Sequence, residues 1–244
     1  MPRPAVSRPR KSSAVVDWLI VFVKAPTPGA VKTRLLSAYT PEQAAGLYRC
    51  LVADTLKTVR ALRTMRITVA YAADRQFSDL SWLDASVPMF FQHGRSLGER
   101  LIHAFRWAFD QGAASVMVMG SDAPELSSTW IRRARQTLTH CDVVIGPTTD
   151  GGYHLIGLTK PAPELFREIP WSTPHVLDQT LQRVVELRLS VRCLEPIADL
   201  DTPDDVRKYA VRGARHRSQT AAYLLKHSSM SCRTSSRKRS APLA

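Results

Sequence analysis

Apolar residues along this chain come in short blocks, with helical stripes between them. Trp18–Val23 is apolar without a break, which predicts a strand covered on both faces. Similar blocks at 67–72 (ITVAYA), 87–91 (VPMFF), 115–120 (SVMVMG), 142–146 (DVVIG), 153–158 (YHLIGL) and 190–195 (SVRCLE) predict six more strands. Ala44, Leu47, Leu51, Leu56, Val59 and Leu62 fall near helical period, after Thr40, Pro41 and Gln43 in the places of N-cap, first-turn proline and capping-box partner. Leu101, Ile102, Phe105, Ala108 and Phe109 mark a second helix, stopped by Gly112. Further helices are expected near 128–138 and 174–188, and another opens at Thr202–Pro203.

Strands alternating with helices predict an α/β fold: a single domain with a mostly parallel sheet and helices on both faces. In such sheets ligands gather outside the carboxyl ends of the strands, so the residues just after each strand are where chemistry is sought.

The chain has 244 residues, 44% of them hydrophobic, and a formal net charge of +13. That charge is uneven. Residues 1–17 hold four basic and one acidic residue, and 206–244 hold ten basic and no acidic residue. Between them, 18–205 balances 20 against 20, so a basic folded surface is not implied. The expected layout is a basic flexible tail at 1–17, a folded domain at 18–210 and a basic, disordered tail at 211–244. Any nucleic-acid contact would come through the tail. A short helix around Ala221–Leu225 is the one element expected beyond residue 210.

Arg3 to Lys11 ahead of Ala14–Val23 mimic a signal peptide, but Asp17 interrupts the apolar stretch and Lys24 follows it. No apolar run approaches the ~20 residues of a membrane helix. Cys50, Cys141, Cys193 and Cys232 form no Cys-x-x-Cys pair, as expected of free thiols in the cytoplasm. The sequence leaves the oligomeric state open.

Five segments carry candidate chemistry. In KAPTPGAVKTRL (24–35) a turn with Gly29 presents Lys24, Lys32, Thr33 and Arg34, suited to gripping phosphates by charge and backbone N–H groups. It is not a P-loop, because Pro26 and Val31 stand where glycines are needed. GSDAPEL (120–126) places Ser121 and Asp122 after a strand, where a carboxylate could hold a divalent cation or cap the next helix. In GPTTDGGYHLIGL (146–158), Asp150 could bind a sugar hydroxyl, act as a base or turn a hairpin, and Gly151 and Gly152 allow close approach ahead of Tyr153. DLDTPDD (199–205) puts Asp199 and Asp201 on one side of an extended segment, as metal ligands or as cap decoration. QHGRSLGERL (92–101) carries Gly94 and Gly98, and Trp171 could stack on a sugar or base face. His93, His103, His154 and His175 make no metal spacing and read as structural.

The ordered set FVKAPTPGAVKTRL, LGERL, GSDAPEL, GPTTDGGYHLIGL, PWSTP and DLDTPDD resembles a bacterial glycosyltransferase-like family that includes arsenosugar-biosynthesis glycosyltransferases. The resemblance spans roughly 18–210. It implies the nucleotide-diphospho-sugar transferase superfamily, with a GT-A, Rossmann-like fold. The opening motif is also similar to that of 2-phospholactate guanylyltransferases.

What the resemblance implies is a metal-dependent glycosyltransferase that moves a sugar from a nucleoside-diphosphate sugar to a small-molecule acceptor. Lys24, Gly29, Lys32, Thr33, Arg34 and Ser121 would bind the nucleotide. Asp122, Asp201 and Asp199 would hold Mg²⁺ or Mn²⁺. Gly98, Gly151, Gly152, Tyr153 and Trp171 would border sugar and acceptor, and Asp150 would be the base. The chain has Ser-Asp-Ala at 121–123 rather than a full Asp-x-Asp. The alternatives are a nucleotidyltransferase releasing pyrophosphate and a nucleotide- or nucleic-acid-binding protein without catalysis.

Overall fold

The computed structural model describes residues 16–213 and 218–234. In chain order the elements are β1 (Val16–Lys24), α1 (Pro41–Arg60), β2 (Met65–Ala72), β3 (Met89–Phe91), α2 (Leu97–Asp110), β4 (Ala113–Met119), α3 (Ser128–Thr137), β5 (Val143–Pro147), β6 (Tyr153–Leu158), α4 (Val176–Glu186), β7 (Val191–Cys193), α5 (Pro203–Gly213) and α6 (Gln219–Thr234). Short 3₁₀ turns occupy Thr33–Ser37 and Pro163–Phe166. All seven expected strands are present, the third and last trimmed to three residues each.

They form one sheet in the order β3-β2-β1-β4-β6-β5-β7. Every pairing is parallel except those of β6, which runs antiparallel to β4 on one side and to β5 on the other. The unbroken apolar run of β1 now has its reason. Leu19, Val21 and Val23 face the α1 and α3 side, whereas Trp18 and Ile20 face the α2 side, all buried. Side chains alternate faces along a strand, so a central strand needs apolar residues at every position.

α1 begins as its sequence predicts: Thr40 accepts from the Gln43 N–H, and the Gln43 side chain accepts from the Thr40 N–H. Its apolar residues, however, form two stripes. Ala45, Tyr48, Val52, Leu56 and Val59 face the sheet. Ala44, Leu47 and Leu51 face outward and are covered, in a third cluster with Leu35, Leu200, Val206, Tyr209, Ala221 and Leu224.

That cluster corrects the domain layout. Residues 211–244 read as a disordered tail, yet 219–234 form α6, packed along α1. Asp54 of α1 accepts from the Gln219 and Thr220 N–H groups at 2.9 and 2.8 Å, a carboxylate at a helix N-terminus. The Tyr223 hydroxyl donates to the Gln43 carbonyl at 3.1 Å. Gly46 lets the helices meet: a Cβ there would stand 2.3 Å from the Tyr223 hydroxyl oxygen. The expected tail segments 1–15, 214–217 and 235–244 lie outside the described residues. Among the described residues no helix is long and apolar enough to cross a membrane, and Cys50, Cys141 and Cys193 are free thiols.

Candidate active site

The carboxyl ends of β1 and β4, together with β6, the amino end of α2 and the 199–201 segment, surround a cavity of about 650 Å³. Its construction starts at the turn after β1. Gly29 has φ +81°, and Lys32 has φ 49°, a left-handed conformation that is strained for a residue with a Cβ. What holds Lys32 there is its ammonium group, which lies 2.5 Å from Asp122 Oδ1, 2.7 Å from Asp201 Oδ1 and 2.9 Å from the Leu200 carbonyl. The Lys32 side chain is only 3% exposed. Burial by itself would lower its pKa, but the two carboxylates more than offset this and raise it.

An ammonium has three N–H donors, and all three are used here. In this structure Lys32 clamps Asp122 to Asp201. The Leu200 N–H donates to the Asp122 carbonyl at 2.9 Å and fastens the same two segments through the backbone. Arg34 lies 3.8 Å from Asp150 and 3.9 Å from Asp201 with its side chain 57% exposed, so it remains available to an anion.

Asp199 is half-buried between these groups, and its Oδ1, itself shielded from solvent, has no hydrogen-bond partner. Burial first, then repulsion by Asp122 and Asp201, pushes its pKa up to about 8. Folded Asp199 thus keeps its proton to about pH 8, whereas in the unfolded chain it lets go near 4. Stability therefore falls with rising pH across that window. Asp199→Asn is expected to match wild type in thermal melts near pH 4. By pH 8 it should exceed wild type by on the order of 2 kcal/mol, about 5 °C. A pH-independent difference would mean that Asp199 does not titrate in this range.

Among the described residues no group of three His, Cys, Asp or Glu side chains converges as a metal site. The donor chemistry of Asp122, Asp201 and the unpartnered oxygen of Asp199 nonetheless fits a hard divalent cation, which prefers carboxylate oxygens.

Of the residues singled out in the sequence, Lys24, Lys32, Thr33, Arg34, Ser121, Asp122, Tyr153, Trp171, Asp199 and Asp201 line the cavity. Gly29, Gly98, Asp150, Gly151 and Gly152 do not. Asp150 caps the β5–β6 hairpin: its Oδ1 accepts from the Thr148 hydroxyl at 2.6 Å and the Gly152 N–H at 3.3 Å, and its other oxygen faces Arg34. A Cβ on Gly151 would be 2.0 Å from the Pro174 carbonyl oxygen, and one on Gly98 would be 2.5 Å from the Phe166 carbonyl oxygen. Their close approaches are to the chain itself.

Sequence reasoning passed over several cavity residues. Tyr48, from the middle of α1, accepts from the Lys24 N–H at 2.8 Å. Gln92 donates to the Ala70 carbonyl at 2.7 Å, and Arg95 and Arg100 stand at the mouth. His154, read as structural, also lines the cavity. Tyr48 sits on an ordinary apolar stripe, so only the packing of α1 under β1 could reveal it.

A bacterial family described as an uncharacterized protein conserved in bacteria (DUF2064) matches residues 55–173. The crystal structure of a protein from Desulfovibrio desulfuricans G20, described provisionally as a nucleotide-diphospho-sugar transferase, is 34% identical. The match covers 89% of this chain and 97% of that one, with a TM-score of 0.82. This chain belongs to the nucleotide-diphospho-sugar transferase superfamily.

Less similar solved structures share the fold. One is the 4-diphosphocytidyl-2C-methyl-D-erythritol synthase of Anaerococcus prevotii DSM 20548, 13% identical over 86% of this chain and 99% of that one (TM-score 0.53). Another is a cytidylyltransferase from Leptospira borgpetersenii serovar Hardjo-bovis, 11% identical over 94% and 100% (TM-score 0.53). None of the curated sequences compared with the chain matches it.

Proposed function

We propose that this protein is a glycosyltransferase that moves a sugar from a nucleoside-diphosphate sugar to a small-molecule acceptor, in the branch its ordered motifs resemble. The observation that carries the reading is the meeting of a cationic turn with clustered carboxylates at the strand ends, inside one cavity.

Lys24 and Arg34 would take the diphosphate by charge. Thr33, Ser121 and the turn at Gly29 would supply hydrogen-bonding groups. Asp122 and Asp201, with Asp199 beside them, would hold Mg²⁺ or Mn²⁺. When bound, that cation would supply positive charge against the departing diphosphate. Lys32 would keep the two carboxylates in register. Tyr153 and Trp171 would border the sugar and acceptor, with Gly98, Gly151 and Gly152 shaping the segments behind them. Asp150 stands outside the cavity lining, but its Oδ2, beside Arg34, would be the base for an acceptor that reaches the cavity's edge. The protein would act in the cytoplasm, and the 18–210 core with α6 would form the catalytic unit.

The deciding experiment incubates the protein with NDP-sugars and NTPs plus Mn²⁺ and identifies the phosphate product by mass. A nucleoside diphosphate is expected, whereas pyrophosphate would make the protein a nucleotidyltransferase on the same frame. In calorimetry, Asp122→Asn is expected to remove most of the Mn²⁺ dependence of nucleotide binding, while the fold survives with a lowered melting temperature because the buried Lys32 ammonium keeps only Asp201 and the Leu200 carbonyl. Undiminished metal dependence would take Asp122 out of the site.

A further inference from the structure

The Lys32 ammonium sits in a cage of oxygens. Asp122 Oδ1, Asp201 Oδ1 and the Leu200 carbonyl all lie within 2.9 Å of it, and the side chain is 3% exposed. Carboxylates and backbone carbonyls are also the donors that a hard divalent cation prefers. The place where Asp122 and Asp201 would hold a metal is therefore taken, in this structure, by a cation of the chain's own. The two cations exclude each other. A dication on the same pair of carboxylates would stand beside an ammonium that solvent barely reaches, and their repulsion would be screened little.

Two observations mark this arrangement as one that can let go. The first is strain. Lys32 holds φ 49° and ψ 41°, a left-handed conformation that a residue with a Cβ keeps only where its surroundings impose it. Release of the ammonium removes what imposes it. The second is an unmet need. The ammonium's three donors serve Asp122, Asp201 and Leu200, which leaves Asp199 Oδ1 shielded from solvent without a partner beside them. A divalent cation takes about six oxygen ligands and carries twice the charge, so it can serve all three carboxyl groups at once. The displaced side chain has somewhere to go. Lys32 lines the same cavity as Lys24, Thr33 and Arg34, and an ammonium turned out among other cations needs an anion, which the phosphates of a nucleotide supply.

We infer that Lys32 is an exchangeable cation: a divalent metal enters the Asp122–Asp201 cage by displacing the Lys32 ammonium, which turns to the phosphates of the nucleotide, so that metal and nucleotide each favour the other. This deepens the proposed function and rests on its reading that these carboxylates hold a metal and that the cavity holds a nucleoside diphosphate. Lys32 keeps the carboxylates in register until the metal takes over that task. Mn²⁺ alone, titrated into the whole protein with the free ion counted by EPR, is expected to bind Lys32→Met about 10-fold or more tighter than wild type, because no ammonium has to leave. Asp122→Asn added to Lys32→Met is expected to abolish that gain.

A second measurement follows Lys32 in the wild type by reductive methylation with formaldehyde and cyanoborohydride, read by peptide mass. Without added metal Lys32 is expected to be protected, whereas the exposed Lys57 is modified. Saturating Mn²⁺ is expected to raise Lys32 modification about 5-fold or more, and a nucleoside diphosphate added with it to lower it again. Equal Mn²⁺ affinity in wild type and Lys32→Met, or a Lys32 that stays protected with Mn²⁺ bound, would overturn the exchange and leave the metal reading standing. Failure of Mn²⁺ to bind either protein, with or without the nucleotide, would overturn both. The labelling arm decides even where Lys32→Met does not fold.

Discussion

Lys32→Met is expected to lower the melting temperature by about 6–10 °C, from a loss on the order of 3 kcal/mol in a domain of this size. The ammonium is buried and uses every donor on Asp122, Asp201 and the Leu200 carbonyl. Removing it leaves two carboxylates facing each other beside Asp199, with nothing between them. Asp122 and Asp201 are 41% and 33% exposed at the side chain, so solvent screens part of the repulsion and keeps the loss below that of a fully buried pair. Methionine has a similar length, so packing is largely conserved. Adding Asp122→Asn to Lys32→Met should restore about half of the lost stability, because the damage is repulsion rather than a cavity. Additive losses in that double-mutant cycle would show that Lys32 acts through packing. Saturating Mn²⁺ should also raise the melting temperature of Lys32→Met more than that of wild type, since a cation would then meet carboxylates without an ammonium between them.

Ending the chain after Gly213 is expected to lower the melting temperature by about 10 °C, through a loss of roughly 3–5 kcal/mol. The charge pattern alone argues for no effect, because residues 206–244 are all basic or neutral. The structure argues otherwise. α6 buries Thr220, Ala221 and Leu224 and covers the outward stripe of α1 at Leu47 and Leu51. Truncation would expose that stripe and remove the hydrogen bonds to Asp54 and Gln43. A thermal melt of the shortened protein measures the effect. Leu224→Asp is a milder check: it places an unpaired charge in the same interface without removing the basic residues. Unchanged melting in both would return α6 to the status of a tail. The signal was legible in part. Ala44, Leu47 and Leu51 belong to a second apolar stripe on α1, distinct from the one that meets the sheet, and a helix with two apolar faces needs two covers.

The sequence by itself determined the elements: seven apolar strands, the capping box of α1 and the strand-end positions of the charged residues. Each is a local matter, written in periods of 2 and 3.6 and in the hydrogen-bonding habits of Thr, Pro and Gly. Strand order was another matter. β6 is inserted antiparallel between β4 and β5, and no local pattern announces which strands become neighbours. The site depends on contacts of that long-range kind. Lys32 meets Asp201 across 169 residues of chain. Spacing showed three cations and several acids, all free to face a ligand. Only the tertiary structure showed that one cation is spent on two of the acids and that Asp150 and Gly151 serve the hairpin. The reason is physical: a side chain's chemistry is set by its type, but whether its hydrogen bonds are already satisfied depends on what the rest of the chain brings beside it.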